Sequence, residues 1–264
     1  MLVSLQNEQV KQVVNLRRRK GREEARQFVV EGRRFLEEAL NREAGILRIF
    51  ICPQREQPEW QPLLKESADR QIPIIEIDER VLYKISSTVE PQGILAVVRQ
   101  PVFTWKDLTV DSRTVLLIID GVQNPGNLGT ILRTALAAGV CQVCLTKGTV
   151  DLYNDKVLRS TMGAIFSLTV LADLAPEEII DYCRSRGLKL IIADLEGEVI
   201  YKSGMLKLPL ALVVGNEANG PSPLFSAWAR QHLKIPMNYN VESLNAAMAA
   251  GILLYEIVRQ RDFC

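Results

Sequence analysis

From residue 114 onward, short continuous apolar runs alternate with segments that have the spacing of amphipathic helices. The apolar runs are "TVLLIID", "VCQVCLT", "LKLIIADL", "LALVVGN" and "LKIPM". Continuous hydrophobicity is typical of strands buried on both faces, as in a parallel sheet covered by helices on each side. The segments "NLGTILRTALAAG", "DKVLRSTMGAIF", "PEEIIDYCRSRG" and "ESLNAAMAAGILLYEIVRQR" are predicted to be those helices. This half of the chain therefore predicts a parallel-sheet α/β domain.

The first hundred residues alternate in the same way on a smaller scale. Helices are predicted over "NEQVKQVVNLRR", "RRFLEEALNREA", "EWQPLLKESADRQ" and "ERVLYKIS", and strands over "RQFVVEG", "ILRIFICP", "IPIIEID" and "GILAVVRQ". Residues 101–113, "PVFTWKDLTVDSR", show no clear period and are interpreted as a linker. We therefore predict a smaller α/β domain over residues 1–105 and the parallel-sheet domain over residues 106–264.

The closing helix is the best specified element of the sequence. Glu242 or Ser243 can cap its start. Apolar residues then recur at helical spacing, at Leu244, Met248, Ile252, Tyr255 and Val258. These residues are predicted to form its buried face.

Charge is distributed unevenly along the chain. The formal net charge of +1 argues against a strongly basic nucleic-acid coat protein. Residues 11–34, however, contain nine Lys or Arg against three acids. Such a local basic patch is typical of a contact with a polyanion, but a solvated helix face would have the same composition. Charge alone does not separate the two interpretations.

Cysteine and histidine usage argues against a metal centre. The pair in "CQVC", residues 141–144, lies in an apolar run with no second pair and no nearby histidine, whereas a zinc site needs about four ligands. Buried thiols are the expected outcome, and no metal is predicted. The segment "MLVSLQNEQVKQ" lacks the apolar region of a secretion signal, and no segment is apolar enough to span a bilayer. We expect a reducing, cytoplasmic setting.

A glycine-punctuated loop, "DGVQNPGNLGTILRTA", joins the first of the later strands to its helix at residues 120–135. Gly121 and Gly126 have the spacing of a phosphate-binding loop, but the lysine and hydroxyl that should follow are missing. The glycines do not fit a dinucleotide fingerprint either, which argues against nucleotide hydrolysis and NAD chemistry. A tight turn explains the glycines and Pro125. It does not explain Arg133 at the edge of the helix's apolar face.

Two further loops follow predicted strands. The loop "VVGNEANGPS", residues 213–222, carries Glu217, and "IPMNYNVESLNAAMAAG", residues 235–251, carries Ser243 and Asn245. Each of these polar residues could simply cap a helix or lie in a solvated turn. Because the carboxyl ends of parallel strands meet at one edge of the sheet, three polar loops there favour a shared pocket.

Together, three blocks resemble the signature motifs of the SPOUT superfamily, specifically the SpoU/TrmH-type RNA ribose 2′-O-methyltransferases. They are "NPGNLGTILRTA", "VVGNEANGPS" and "IPMNYNVESLNAAMAAGI", in the family's order and rough spacing. The stretch "VDLYNDKVLRSTMGAIFSLTV", residues 150–170, resembles the segment between the first two motifs. The first hundred residues resemble the ribosomal-protein-like substrate-binding domain that many members carry.

The resemblance implies a fold, a cofactor and an assembly. The C-terminal chain would form a deep trefoil knot that binds S-adenosylmethionine, and the protein would act as a homodimer. Catalytic roles would fall on Asn127, Arg133, Glu217, Ser243 and Asn245. The cofactor would contact Thr146, Gly148, Val214, Gly215, Asn216, Ile235, Met237, Ser243 and Leu244. A cofactor without phosphates suits the absence of a phosphate-loop lysine.

The resemblance also implies an RNA substrate. Contacts with it are expected from Arg17, Arg18, Arg19, Lys20, Arg22, Arg33, Arg34, Arg133, Lys156 and Arg159. Arginine keeps its proton to a pKa above about 12, so we expect Arg133 to stabilise the developing alkoxide rather than accept a proton. The front domain favours 23S ribosomal RNA, with guanosine as the expected nucleotide. Alternatives are a tRNA or an antibiotic-resistance rRNA methyltransferase, or a non-catalytic RNA-binding or ribosome-assembly factor of the same fold.

Overall fold

The structure is a computed structural model that describes residues 2–201, 206, 208–239 and 243–262. It divides the chain into two compact units. The first contains the residues up to 102 together with 153–166, and the second contains 103–152 and the residues from 167 onward. Residues 153–166 were predicted to belong to the second domain. They group with the first unit because Tyr153 and Phe166 pack on Phe28, with ring centroids 4.7 and 6.3 Å away.

The helices and strands are numbered in chain order. The α-helices are α1 (Glu8–Asn15), α2 (Arg19–Ala25), α3 (Arg33–Asn41), α4 (Gln61–Asp69), α5 (Glu79–Ile85), α6 (Pro125–Ala137), α7 (Asp155–Thr161), α8 (Pro176–Ser185), α9 (Pro223–Trp228) and α10 (Ala246–Asp262). The strands are β1 (Gln27–Glu31), β2 (Ile46–Ile51), β3 (Ile74–Glu76), β4 (Ile94–Arg99), β5 (Val115–Ile119), β6 (Gln142–Thr146), β7 (Thr169–Leu174), β8 (Lys189–Val199), β9 (Leu210–Val214) and β10 (Gln231–Lys234).

The first unit is built on a four-stranded mixed sheet in the order β1-β4-β2-β3. β4 runs antiparallel to both of its neighbours, and β2 and β3 are parallel. Helices α1 and α5 pack together over one face of the sheet. The helix predicted over residues 7–18 ends early, at Asn15, and α2, which was not predicted, begins at Arg19 after a turn in which the Asn15 carbonyl oxygen would lie 2.2 Å from a Cβ at Gly21. Only glycine fits there.

The second unit is built on a six-stranded sheet in the order β10-β8-β9-β5-β6-β7, and every neighbouring pair is parallel. This confirms the predicted parallel α/β domain. β5 and β9, near the centre, are buried at every position. Ile118 on one face of β5 packs in a cluster with Ile179 of α8 and Phe225 of α9. α6 and α10 pack against each other.

β7 was not predicted from the sequence. It lies at the edge of the sheet, and only two of its six residues, Val170 and Leu171, are buried. An edge strand therefore lacks the continuous apolar run by which the central strands were found.

Residues 103–113, predicted as linker, pack on the second unit. The ring of Trp105 stacks on Tyr182 with centroids 4.8 Å apart, and Leu108 is buried in the same core. The Thr109 backbone accepts a hydrogen bond from Gln142 Nε2 at 2.8 Å. The segment lacks a helical or strand period because its apolar residues are fixed by tertiary contacts rather than by regular structure.

Helix α10 differs from its prediction in both start and orientation. It begins at Ala246, and the Asn245 side chain caps it by accepting hydrogen bonds from the Ala247 and Met248 backbone amides. Ser243 precedes the helix, and Glu242 lies outside the described residues. The buried face consists of Ala246, Ala247, Ala250, Leu253, Leu254 and Ile257.

The predicted buried face of α10 is wrong at three of its five residues, and the other two, Ile252 and Val258, are half-buried. Met248 is 62% exposed and Tyr255 is 53% exposed, and Leu244 before the helix is also exposed. The sequence of this helix carries two apolar stripes, and the alanine-rich one packs inward against α6 because small side chains allow a close approach. The larger side chains form an outer apolar stripe, which we define as Leu244, Met248 and Tyr255.

Three further expectations concern the chain as a whole. Of the two cysteines of "CQVC", which were expected to be buried, Cys144 is buried but Cys141 is exposed. Cys183 is buried as well, and burial raises the pKa of its thiol to about 12. Within the described part of the chain, no helix is long and apolar enough to cross a membrane. The trefoil knot stays a prediction.

Candidate active site

The first predicted loop forms the turn between β5 and α6. Asn124 caps α6: its Oδ1 accepts hydrogen bonds from the backbone amides of Gly126 and Asn127, at 2.8 and 3.2 Å. Pro125 occupies the first helical position, where a missing N–H costs nothing. The helix thus starts two residues before its predicted start at Asn127. The side chain of Asn127 is left free to reach other loops.

Three of the five predicted catalytic residues form a chain of hydrogen bonds. Asn127 Nδ2 donates to Glu217 Oε1 at 2.8 Å, and Asn245 Nδ2 donates to Asn127 Oδ1 at 2.9 Å. We call this chain of three side chains the amide relay. It connects the chain segments that follow β5, β9 and β10. The orientation of the Asn127 amide is fixed, because its NH₂ group donates to Glu217 and its oxygen accepts from Asn245.

The carboxylate of Glu217 is held in its ionised form. The loop between β5 and α6 also donates to it, from the backbone amides of Gln123 and Asn124, each at 3.3 Å. Partial burial raises the pKa of Glu217, but the hydrogen bonds from Asn127 and from the backbone outweigh this, so the net shift is downward. Its oxygens already accept three donors, and this suits a positioning role.

Arg133 and Ser243 are not joined to the amide relay. Arg133 lies on α6 with an exposed side chain, and it has no hydrogen bond or ion pair among the residues that the structure describes. Ser243 is exposed as well and lines the cavity described below. Its guanidinium, on the same helix as Asn127, is available for an anionic ligand.

A carboxylate that the sequence analysis missed lies beneath this loop. Asp120, at the end of β5, is 7% exposed. Its Oδ1 accepts from Thr146 Oγ1 at 2.8 Å, and its Oδ2 accepts from the Ser222 backbone amide at 2.6 Å. Thr146 Oγ1 in turn accepts from the Gly121 amide at 3.0 Å. Asp120 therefore fastens the loop after β9 to the ends of β5 and β6.

A cavity of about 330 Å³ opens beside the relay in the second unit. Seven of the nine predicted cofactor residues line it: Val214, Gly215, Asn216, Ile235, Met237, Ser243 and Leu244. The other two, Thr146 and Gly148, do not: Thr146 is buried against Asp120, and Gly148 has open space around it. Glu217 also lines the cavity, so the cavity and the relay share a residue.

The cavity wall contains groups that the sequence analysis did not single out. They include Ala193 and Asp194 of β8, Pro221, Leu233 and Ala249. Asp194 Oδ2 lies 2.6 Å from Nδ1 of His232 on the neighbouring strand β10. The pairing could not be predicted because the two residues are 38 positions apart and only strand order brings them together. The pair places a carboxylate in an otherwise largely apolar wall.

The loop after β9 has a tight backbone return. The Gly215 position leaves no room for a side chain, because a Cβ there would lie 2.2 Å from the Pro221 nitrogen and 2.3 Å from the Gly220 carbonyl carbon. Asn216 and Gly220 exchange backbone hydrogen bonds across the loop, each of 3.0 Å. Backbone groups therefore come close to the cavity at Gly215.

The predicted RNA-binding residues have different surroundings. Arg17, Arg18 and Arg34 are exposed, whereas Arg19, Lys20 and Arg33 form ion pairs with glutamates along their own helices. Lys156 and Arg159 lie on α7. Arg22 is only 5% exposed and donates to the Leu16 and Arg17 carbonyl oxygens, both at 2.8 Å. It stabilises the turn before α2 and is not on the surface.

Comparison with known families agrees with this geometry. Residues 114–255, which contain the three loops, match the SpoU rRNA Methylase family, and residues 7–96 match the MRM3-like substrate binding domain. The chain belongs to the SpoU rRNA methylase family. Members use S-adenosylmethionine to methylate ribose 2′-hydroxyl groups of RNA, and this chain is an RNA methyltransferase of that kind.

Individual relatives align over nearly the whole chain. The 23S rRNA (guanosine(2553)-2′-O)-methyltransferase RlmP of Bacillus subtilis is 33% identical over 96% of this chain and 97% of its own length. The AdoMet-bound rRNA methyltransferase of Sinorhizobium meliloti is 29% identical, with a TM-score of 0.88 over 100% of this chain and 98% of its own. The SpoU methyltransferase AviRb of Streptomyces viridochromogenes in complex with AdoMet is 28% identical, with a TM-score of 0.86 over 97% and 98% of the two chains.

The cavity beside the relay fits the cofactor of this family. S-adenosylmethionine combines a flat adenine ring and an aliphatic methionine chain, which together form its apolar body, with a positively charged sulfonium. The wall offers Val214, Leu233, Ile235 and Met237 to the apolar body, and the carboxylates of Asp194 and Glu217 to the positive charge. Among the described residues, no group of three or more His, Cys, Asp or Glu side chains could hold a metal ion.

Proposed function

We propose that this enzyme methylates the 2′-hydroxyl of a nucleotide in 23S ribosomal RNA, with guanosine as the favoured nucleotide. The amide relay carries this proposal, because its three hydrogen-bonded side chains lie beside the cavity that Glu217 also lines, and because Arg133 lies on the same helix as Asn127. The full-length similarity to a 23S rRNA guanosine 2′-O-methyltransferase supports the choice of substrate. The proposal includes a location in the cytoplasm.

In this mechanism the cofactor would be held by the residues that line the cavity. Val214, Ile235, Met237 and Leu244 would pack on it, and the backbone at Gly215 would approach it closely. Bound S-adenosylmethionine supplies a methyl group activated by a sulfonium. The protein's task is to align the ribose oxygen with that methyl group and to exclude water.

Arg133 would bind the acceptor nucleotide. Its guanidinium can donate two parallel hydrogen bonds to the phosphate next to the acceptor ribose and stabilise the negative charge that develops on the 2′-oxygen. Because arginine keeps its proton, a water molecule or another acceptor would take the hydroxyl proton. The relay residues Asn127 and Asn245 would orient the ribose, with Glu217 as a positioning residue behind them. Ser243, on the cavity wall, would contact both cofactor and substrate.

RNA backbone would bind along a basic surface of the first unit. We define this basic surface as Arg17, Arg18, Arg19, Lys20, Arg33, Arg34, Lys156 and Arg159. Arg22 is left out because its side chain is buried. The exposed members that have no ion-pair partner among the described residues, Arg18 and Arg34 among them, should contribute most, since they give up no such partner when they bind phosphate.

We also propose that the enzyme is a homodimer. The outer apolar stripe of α10 supports this, because Met248 and Tyr255 are large, apolar and more than half exposed on one helix. A two-fold contact between two copies of this helix would cover the stripe.

The substrate can be tested by mapping 2′-O-methyl groups in total RNA from cells with and without the gene. The proposal predicts loss of one site in 23S rRNA and its return when the gene is restored. Restoring Arg133→Ala should leave the site unmethylated. Loss of a tRNA site with 23S rRNA unchanged would refute the assigned substrate, and no lost site together with no binding of S-adenosylmethionine would favour a non-catalytic factor.

A further inference from the structure

A second cavity, of about 270 Å³, lies in the first unit at the outer side of β1. β1 is the edge strand of its sheet and pairs on its other side with β4. The loop between α1 and α2, the start of α3, the end of α5 and helix α7 surround the cavity. All of its lining residues belong to the first unit. We call it the edge cavity.

The edge cavity has an apolar interior. Six buried apolar side chains line it: Leu16, Val30, Phe35, Ile85, Leu95 and Leu158. Cavities for drug-sized ligands are roughly 300–1,000 Å³, so a volume just below that range suits one small, flat apolar body. A single nucleobase is such a body.

The mouth of the edge cavity is cationic. Arg17 and Arg159 line it with the carboxylates of Glu31 and Asp155, and the buried Arg22 lies behind them. Glu31 already accepts from Ser86 Oγ and Thr88 Oγ1, at 2.8 and 2.7 Å. Asp155 is paired with Arg159 at 3.1 Å. The exposed side chain of Arg17 has no hydrogen-bond or ion-pair partner within the described residues, which leaves positive charge for an anion.

The edge strand adds backbone donors and acceptors. Gly32 N donates to Ile94 O, and Gln100 N donates to Arg26 O, so the even-numbered residues of β1 bond to β4. Antiparallel bonding alternates along a strand, so the N–H and C=O groups of Val29 and Glu31 are directed away from β4. Both residues line the edge cavity. A ligand there meets paired donors and acceptors of the kind that the edge of a base requires.

We propose that the edge cavity binds one unpaired nucleotide of the substrate RNA, with its base inside and its phosphate on Arg17 and Arg159. This rests on the proposed function, because it assigns the nucleotide to the RNA that the enzyme methylates. Unpaired bases turned out of an RNA loop are commonly recognised by stacking and by hydrogen bonds to their edges. The cavity would thus help select the RNA from within the first unit.

A peptide strand added to β1 fits less well. Strand addition needs a run of free outward groups. Of the outward residues, the Gln27 carbonyl already accepts from Gln100 Nε2 at 3.5 Å, which leaves Val29 and Glu31. Two residues are too few for a stable added strand, and the cationic mouth favours a phosphate.

The test uses the full chain, a 23S rRNA transcript and tritiated S-adenosylmethionine. Ser87, at the exposed rim, is changed to Trp to fill the mouth, with Ser4→Trp as the control at another exposed serine of the first unit. Arg17→Glu is compared with Arg42→Glu, an exposed arginine outside the cavity. The measurements are KM for the transcript, Kd for S-adenosylmethionine, and the peptides that become crosslinked to RNA under 254 nm light.

Ser87→Trp and Arg17→Glu should each raise KM at least tenfold, while kcat at saturating RNA and the cofactor Kd stay unchanged. The controls should shift KM less than twofold. Wild-type crosslinks should include residues 27–35 or 153–159 and disappear in Ser87→Trp. Unchanged KM and unchanged crosslinks in Ser87→Trp would overturn the proposal. Addition of a peptide strand to β1 would then be the remaining interpretation of the edge cavity. Binding of nucleoside 5′-monophosphates to the cavity without any effect on KM would overturn the assignment to RNA.

If the wild-type enzyme incorporates no methyl group into the transcript, the assigned substrate fails. The crosslinks still test the edge cavity in that case, because they report binding of RNA and not transfer.

Discussion

Replacing Asp120 by Asn should weaken cofactor binding although Asp120 does not line the cofactor cavity. The carboxylate accepts one hydrogen bond from Thr146 and one from the Ser222 amide, on two different loops. Asparagine has the same shape but only one acceptor oxygen. If its oxygen accepts from the Ser222 N–H, its NH₂ group can only donate to Thr146 Oγ1, and Thr146 must redirect its own hydroxyl proton.

The size of the expected increase in the Kd for S-adenosylmethionine follows from the strength of these two hydrogen bonds. A buried hydrogen bond to a charged group contributes about 1.5–3 kcal/mol, and a neutral one about 0.5–1.5 kcal/mol. The amide at best converts both bonds from charged to neutral, so the loop after β9 should lose about 2 kcal/mol of restraint. Because this loop supplies Val214 to Pro221 to the cavity, full transfer of that loss to binding would raise the cofactor Kd roughly 30-fold.

The assay is titration calorimetry with S-adenosylmethionine. Asp111→Asn is the control, because Asp111 also accepts from a backbone amide and a threonine hydroxyl, those of Arg113 and Thr114, but it is exposed, lies away from the cavity and uses the single oxygen Oδ1 for both bonds. We expect Asp120→Asn to raise Kd by 10- to 30-fold and Asp111→Asn to change it less than twofold. The free energy of unfolding, from urea denaturation, should fall in Asp120→Asn and change little in Asp111→Asn, because asparagine keeps the single oxygen that Asp111 uses.

One result would refute the reasoning. If Asp120→Asn unfolds more easily by about 2 kcal/mol but binds S-adenosylmethionine as tightly as the wild type, the loop after β9 does not depend on Asp120 for its cofactor-binding conformation. The restraint would then be purely structural.

Three further predictions concern the substrate and the assembly. Arg133→Lys should lower kcat at least tenfold and Arg133→Ala 100- to 1,000-fold, and neither should change the Kd for S-adenosylmethionine. Near-wild-type activity of Arg133→Lys would show that Arg133 does not act through two parallel hydrogen bonds to the phosphate. Replacing both Arg18 and Arg34 by Glu should weaken RNA binding while the cofactor still binds. Because two phosphate contacts are lost, the slope of the logarithm of the RNA association constant against the logarithm of the salt concentration should become less steep by about 1.4–1.8. Met248→Glu should yield monomers in sedimentation velocity, and a persistent dimer would show that the outer apolar stripe of α10 is not the interface.

The fold of the second unit was largely predictable because its central strands are buried on both faces. β5 and β9 are apolar at every position, and such runs are visible without knowledge of the fold. β7 at the sheet edge and the segment at residues 103–113 were missed because tertiary neighbours, not local pattern, decide their burial. For the same reason the sequence could not choose between the two apolar stripes of α10.

The candidate site was predictable in its residues but not in its bonds. The position of polar loops after strands indicated a pocket, and the resemblance supplied Asn127, Glu217 and Asn245. That Asn127 joins the other two could not be predicted, because its partners are 90 and 118 positions away. Asp120 was overlooked because a strand-end aspartate is common and its partner Ser222 lies 102 positions further on.

The contacts of the loop after β9 have a consequence for the order of events in catalysis. Glu217 lines the cofactor cavity and also accepts the hydrogen bond that orients Asn127. Asp120 holds the other end of the same loop through Ser222. A change in this loop when the cofactor binds must therefore reach Asn127 and, through it, Asn245. Cofactor binding and positioning of the acceptor ribose should be energetically coupled, so S-adenosylmethionine should tighten RNA binding in the wild type and do so less in Glu217→Gln.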